Sequence, residues 1–517
     1  MIDIAAAYEG GDPAVLPFFA RDPGTFPEIS GPAPVWDEEF RAALEAFQQE
    51  HGSDAPIPEA AHAVVTGQQP ALFCGPMYTM YKAIGAIQLA RELSRRSGQP
   101  CAPVFWIASD DHDFEEARSV HLLTDQDDIL QLTYEPREPV AGLPMARVPL
   151  DEHIHRLVDR LAAHARQGSG AGEIRDFLHA SADASASLAE WHTRLLARLF
   201  RGTGLILFSP RIPEARRRAA ALLRKEIEAP LETTALVNTA AGELAGLGFA
   251  PQLRKGRTEC NFFLETGTTR DKALFQEERF QIPAQGTSFS PAEMMGLLDT
   301  RPEAFSPSAA LRCVAQQHLF PVQAYVAGPG EIAYWAQLRK VFERFDTAMP
   351  LVEPRPRGVL LRAKHKALLA RHGRAAADFT QPFEPLLTAA LNRAAQDDRV
   401  VRALRSNGAH IMDAVQKLKA DIDGEAAELG PMAGAMERSV RRQLARMERA
   451  ATRRDAARTE TAHRQMERLA RVIAPGRRPQ ERVYTPFSFV FGHGWDLVPA
   501  LDRQLAFRAR GLQEVEL

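Results

Sequence analysis

The chain has 517 residues, 45% of them hydrophobic and 25% charged, with a net charge of −3. Such composition is globular rather than disordered, the length allows about three domains, and the weak charge excludes a global basic field for nucleic acid or an anionic membrane. No run reaches the roughly 18–20 apolar residues that span a bilayer, and the first residues lack the pattern of a secretion signal, so a cytoplasmic protein is expected.

Residues 1–60 are proline-rich and begin with loops, followed by a helix over 36–49. A repeating arrangement then appears, in which a short apolar run leads through a polar or glycine-bearing loop into a helical pattern. Its first instance is Ala63 to Val65, the loop Thr66, Gly67, Gln68, Gln69 and Pro70, and a helix over 77–93. The second is 104–108, followed by Ser109, Asp110, Asp111, His112 and Asp113. A third is 205–208, then Ser209 and Pro210 and a helix over 214–227. The fourth is 324–327, then Gly328, Pro329, Gly330 and Glu331 and one helix to about Phe345. Near-continuous apolar strands alternating with helices predict an α/β fold with a doubly wound parallel sheet covered on both faces.

Two long gaps interrupt this core and are expected to be insertions, at about 121–200 and 230–320. The first carries a β-like stretch over 130–150 and helices over 152–165 and 186–200, with the glycines of 168–172 as a flexible linker. The second carries a hairpin around Lys255 and Gly256. From 378 to 476 an Ala-, Arg- and Glu-rich segment predicts a helix pair turning near Leu429, Gly430 and Pro431. Val440, Leu444, Met447 and Ala451 recur 22 residues on as Ala462, Met466, Leu469 and Ile473, a coiled-coil-like seam of 11-residue period. Residues 431–475 carry a net charge of +6 without interleaved aromatic residues, which fits a solvated face better than RNA binding. The domain reading is therefore a core over 1–377, a helical arm over 378–476 and a segment over 477–517 that docks on the core.

Open parallel sheets bind ligands beyond the carboxyl ends of their strands. The loop Asp110 to Asp113, with Glu116 following, has the residues for proton transfer, ammonium binding or a metal such as Mg2+, or it merely caps a helix. Gly67 allows close backbone approach, Gln68 and Gln69 both donate and accept, and Tyr78 and Lys82 follow. Gly328 and Gly330 offer free backbone N–H groups, while Glu331 suits an amine or a helix cap. The four cysteines, Cys74, Cys101, Cys260 and Cys313, form no C-x-x-C pair and read as small apolar residues. Neither a Walker-type phosphate loop nor an H-E-x-x-H motif is present.

These motifs together resemble the cysteine-adding enzymes of bacillithiol biosynthesis. The resemblance is carried by Thr66 to Pro70 with Gly75, Pro76, Tyr78, Thr79, Tyr81 and Lys82, and by Phe105 to Ala108 with Asp110 to Asp113 and Glu116. Phe305, Ser306 and Pro307 with Leu311 and Arg312, the run Gly328 to Trp335 that includes Tyr334, and Gln480, Glu481 and Arg482 complete it. Ser209, Ser308 and Cys313 stand where the family pattern has other residues.

The resemblance implies a Rossmann-like core of nucleotidyltransferase type, two connecting insertions and a coiled-coil arm through which two copies form a homodimer. It also implies amide formation between L-cysteine and glucosaminyl-malate, the last step to bacillithiol. A carboxylate must be activated first, most simply by ATP with Mg2+, and a base must keep the amine neutral, which suits His112 or a nearby carboxylate. Asp111 and Asp113 are then candidates for an ammonium or metal, and Lys82 and Arg312 for phosphate or malyl carboxylates. Rival readings are a metal-dependent nucleotidyl- or phosphoester-transforming enzyme and a non-catalytic coiled-coil scaffold.

Overall fold

The computed structural model describes residues 2–29, 31–265, 267–396 and 399–517, without the side chains of 395, 396, 399–402, 427, 452, 454 and 455. The chain divides into two compact units, Met1–Val359 with Gln480–Val515, and Leu360–Pro479 with Glu516–Leu517. No helix among the described residues is long and apolar enough to cross a membrane.

In chain order the strands of the first unit are β1 (His62–Gln68), β2 (Cys101–Ile107), β3 (Ser119–Leu123), β4 (Ile129–Thr133), β5 (Ile206–Phe208), β6 (Glu259–Leu264), β7 (Asp271–Gln276), β8 (Arg279–Ile282), β9 (Thr287–Phe289), β10 (Phe305–Pro307), β11 (Val322–Ala327) and β12 (Leu351–Pro354). Five of them form a parallel sheet in the order β12-β11-β1-β2-β5, a Rossmann-like arrangement. Alternate residues of β1 feed two cores. Val64 packs with Leu89, Leu93 and Val326 on one face, and Val65 joins Val104, Phe208 and Tyr325 on the other. Covering on both faces is why the apolar runs lack alternation. After β1 the chain moves to β2 and β5 on one side and later to β11 and β12 on the other, so the switch point lies between β1 and β11.

Gly67 stands opposite Trp106 in β2, where a Cβ would lie 2.5 Å from the Trp106 carbonyl oxygen. Only glycine lets the two strands keep this spacing to their carboxyl ends. The second gap builds an antiparallel sheet, β10-β6-β7-β8-β9, cored by Phe262, Phe280 and Phe305. Within the second unit, the helices Phe383–Gln396, Arg399–Glu425 and Gly430–Ile473 form the helical region.

Several local expectations are corrected. The helix after β11 is two pieces, Pro329–Trp335 and Arg339–Arg344. At the break, the buried Gln337 side chain accepts from the N–H groups of Gln252 and Leu253 at 3.0 and 2.8 Å. Over 130–150 only β4 is a strand, because Pro136, Pro139 and Pro144 withdraw ladder donors. The tight hairpin lies at Glu277 and Glu278, both at positive φ, and not at Lys255, whose backbone is held by the Asn238 side chain. The glycines of 168–172 are no linker: Gly168 packs on the Gly492 backbone, and Gly170 caps the helix Ala171–Asp183. The N-terminal stretch contains a helix, Ile4–Gly10, capped by Asp3. In the arm, Met447 is 54% exposed while Ala462, Met466, Leu469 and Ile473 are buried.

Replacing Gly67 by Ala is expected to force β1 and β2 apart and to destabilise the first unit by about 1–3 kcal/mol, the usual range for overpacking. Urea unfolding of the two proteins side by side checks this.

Candidate active site

A cavity of about 680 Å3 opens at the carboxyl ends of β1, β2 and β11, within the size range of small-molecule sites. Its walls come from segments far apart in the sequence. The first loop supplies Gly67, Gln68 and Gln69, and the following helix Tyr78–Ser97 supplies Tyr78 and Lys82. The second loop supplies Asp110, Asp111 and His112, with Glu116 from the short helix Phe114–Ala117. Opposite stand Gly328, Gly330, Glu331 and Tyr334 at the end of β11, and Arg312 from the helix Ala309–Leu319. The insertion sheet contributes Phe263 and Arg270, and the C-terminal segment contributes Arg482.

Lys82 is 1% exposed and crosses the switch point. Its ammonium pairs with Glu331 Oε2 at 2.6 Å, donates to the Gly67 carbonyl, and lies 3.3 Å from Gln68 Oε1. Glu331 also accepts from the Tyr325 hydroxyl at 2.5 Å and from the Gly328 N–H at 2.8 Å. Burial pulls the Lys82 ammonium below its ordinary range, with Glu331 opposing. For Glu331, burial favours the neutral acid, but Lys82 and the donated hydrogen bonds outweigh it and hold the carboxyl below the usual range.

Arg312 donates to the Tyr334 hydroxyl at 2.8 Å and to Gln316 Oε1 at 3.3 Å, and sits beside the Trp106 and Tyr325 rings. No carboxylate among the described residues forms an ion pair with it. Arg355 is spoken for: it donates to Glu481 at 2.6 Å below the Tyr78 ring. Tyr78 accepts from Gln68 Nε2 at 3.3 Å, and burial pushes its hydroxyl up to about 12.

Asp110 is committed elsewhere. It accepts from Arg211 at 3.1 Å and from Arg216, and Arg211 also bridges to the buried Glu265 at 3.0 Å. Burial works against the Asp110 anion, yet Arg216 and Arg211 hold its carboxyl below the ordinary range. Two expected site residues lie outside the cavity wall. Thr66 is fully buried and ties β1 to β11 by donating to the Val326 carbonyl at 2.8 Å. Asp113 is exposed and caps the short helix through the Glu116 N–H at 3.2 Å. Glu116 is exposed on the second loop's side of the cavity; partial desolvation first, then Asp113 and Asp111, raise its carboxyl.

Arg270, Phe263, Arg355 and Trp106 join the cavity wall without being expected site residues. Arg270 and Phe263 lie in an insertion without any motif, and no local signal marks them. Of the three departures from the family pattern, Ser308 lines the cavity, Cys313 is buried beside Arg312, and Ser209 faces Ser109 with 2.7 Å between hydroxyls.

Among the described residues no three His, Cys, Asp or Glu side chains are grouped to hold a metal ion. The arrangement therefore offers cations for anionic groups, two carboxylates (Asp111 and Glu116) for an amine, and one imidazole.

Residues 50–356 match the family model described as "Bacillithiol biosynthesis BshC, N-terminal Rossmann-like domain". Residues 358–508 match the model described as "Bacillithiol biosynthesis BshC, C-terminal coiled-coil domain". Three proteins carrying the name "Putative cysteine ligase BshC" are similar along the chain. That of Salinibacter ruber is 34% identical over 350 residues, covering 68% of this chain and 63% of its own length. That of Geobacillus kaustophilus is 30% identical over 474 residues, covering 88% and 83%. That of Symbiobacterium thermophilum is 30% identical over 496 residues, covering 89% and 86%.

Asp110→Asn should leave Arg211, Arg216 and Glu265 unbalanced and cost about 3–5 kcal/mol, as breaking a buried pair does. Because the folded carboxyl is held below its unfolded value, the stabilisation is present above the ordinary carboxylate pKa of about 3.9 and is lost as pH falls below it. Thermal unfolding from pH 7 to pH 3 should show the two proteins converging at the acid end.

Proposed function

This chain belongs to the BshC family of bacillithiol biosynthesis, and we propose that it is a cytoplasmic ligase joining L-cysteine to glucosaminyl-malate through an amide bond, the last step to bacillithiol. The observation that carries this reading is Arg312, a cation lining the cavity that forms no ion pair with a carboxylate among the described residues. A charge so placed is balanced by an anionic ligand, and the malyl group brings two carboxylates. On the second loop Asp111 and Glu116 supply the negative charge that suits a substrate ammonium.

The cysteine carboxylate is a poor acyl donor and needs a leaving group. We assign that role to ATP, whose anhydride supplies phosphate or nucleotide as the leaving group. Arg482, exposed at the cavity, is a cation placed to meet its phosphates. With Asp110 already neutralised and no grouped ligand set among the described residues, magnesium is assigned to the ATP itself and not to a protein cage. Amide formation then requires the amine to lose a proton while its nitrogen attacks the acyl carbon. His112 and Glu116 are the groups placed for proton handling.

Two copies are proposed to associate through the arm, because the second unit leaves Ile411, Leu418, Met432 and Met447 between 46% and 72% exposed. Sedimentation of the wild type should give a dimer, and Met447→Glu should shift it toward monomer.

Incubation with L-cysteine, glucosaminyl-malate and magnesium–ATP should yield bacillithiol by mass, with none when either substrate is omitted. Failure to form it under these conditions would overturn the reading. Arg312→Met should raise KM for glucosaminyl-malate about tenfold to a hundredfold, as loss of hydrogen bonds to a charged group does, with a smaller change in kcat.

A further inference from the structure

Arg270 is buried, and its guanidinium is braced in three directions. Nε donates to Ser306 Oγ at 2.8 Å, Nη2 donates to the Pro307 carbonyl at 2.9 Å, and the plane lies 3.7 Å from the Phe263 ring centroid. That leaves Nη1, which lies 3.3 Å from Nδ1 of His112. A guanidinium has hydrogens to give and no lone pair to receive one. Nδ1 must therefore be the acceptor, and in the neutral ring the hydrogen sits on Nε2. A proton on Nδ1 would set N–H against N–H and add a second positive charge beside an arginine that forms no close carboxylate ion pair among the described residues, with Asp110, Asp111 and Glu265 acting on it at longer range.

The surroundings agree. Burial and then Arg270 push the His112 imidazolium down, with Lys272 acting the same way from β7, while Asp111 and Asp113 on its own loop oppose them. The Phe263 ring lies 5.7 Å from the imidazole, tilted 59° to it. A base at Nδ1 is thus unavailable, and Nε2 already carries its hydrogen.

We infer that Arg270 is a positioning residue that fixes His112 as an Nε2–H donor to the acyl oxygen, and that Glu116, not His112, accepts the proton of the attacking amine. This rests on the amide-forming reading for the identity of that oxygen; the tautomer does not. In the step itself, the amine nitrogen bonds to the activated cysteine carbon. The C=O pair moves onto oxygen, where Nε2–H meets it, and the amine proton passes to the Glu116 carboxylate. The pair then returns, and the bond to the phosphate leaving group breaks. Glu116 is placed for this: it lines the same cavity, is held by Gln69, and has a raised carboxyl.

Long-range 1H–15N spectra of the full-length, histidine-labelled protein near pH 7.5 test the tautomer directly, with His112→Gln giving the assignment. The expected result is an unprotonated Nδ1 and a protonated Nε2, and Arg270→Met should move the pair of shifts toward the mixture of an unconstrained ring. A protonated Nδ1 in the wild type overturns the inference. In the ligation assay, His112→Gln keeps an N–H donor and should stay well above His112→Glu, which keeps only a base and should lose about 10²–10³ in kcat, the range for one oxyanion donor. The reverse order overturns it. Glu116→Gln should lower kcat by about 10²–10⁴ with little change in KM, and full activity in that variant removes Glu116 as the proton acceptor. Should the wild type make no bacillithiol, the ligase reading falls while the spectra still decide the tautomer. If Arg270→Met does not fold, the wild-type spectrum decides it.

Discussion

The pairing of Lys82 with Glu331 across the switch point is the interaction on which the rest of the first unit's functional edge depends. Removing the Lys82 ammonium from water, and the Glu331 carboxylate in part, is costly before any attraction is counted. The cost is met only because each charge is almost fully coordinated. Lys82 reaches the Gly67 carbonyl and Gln68, and Glu331 receives the Tyr325 hydroxyl and the Gly328 N–H. These partners sit on β1, on β11 and on the loops that follow them. The pair therefore fixes how two strands that are distant in sequence present their ends to one cavity.

The same logic separates the arginines. Arg216, Arg211 and Arg355 are neutralised by Asp110, Glu265 and Glu481, and they build walls. Among the described residues Arg312 is held by neutral acceptors only, so its charge stays available to the cavity, while Arg270 is braced by Ser306 and the Pro307 carbonyl and turns its remaining nitrogen to His112. A cluster that looks uniformly basic by composition thus divides into scaffold and binding groups according to what each guanidinium already touches.

Much of this was legible in the sequence, because parallel strands buried on both faces leave apolar runs and their loops leave polar clusters. Gln68, Lys82, His112 and Glu331 stand out on that ground. Asp110 stands out equally, yet its carboxylate is spent on Arg211 and Arg216, partners about 100 residues away that no local pattern reveals. Arg270 illustrates the opposite failure. Its role comes from a β-sheet insertion folding over the second loop, and a lone arginine between Thr269 and Asp271 carries no periodic or motif signal. Element ends were misjudged where a single side chain decides them, as Gln337 does after β11 and the prolines do beyond β4.

The segment Gln480–Val515 belongs to the first unit although the whole helical region precedes it in the chain. Glu481 gives Arg355 its counter-charge, and Arg482 forms part of the cavity wall. During synthesis, the sheet and both insertions emerge from the ribosome well before these residues do. Until they arrive, Arg355 has no carboxylate from this segment and the pocket lacks one wall. The cavity wall of the first unit is therefore complete only once the last fraction of the chain has been translated.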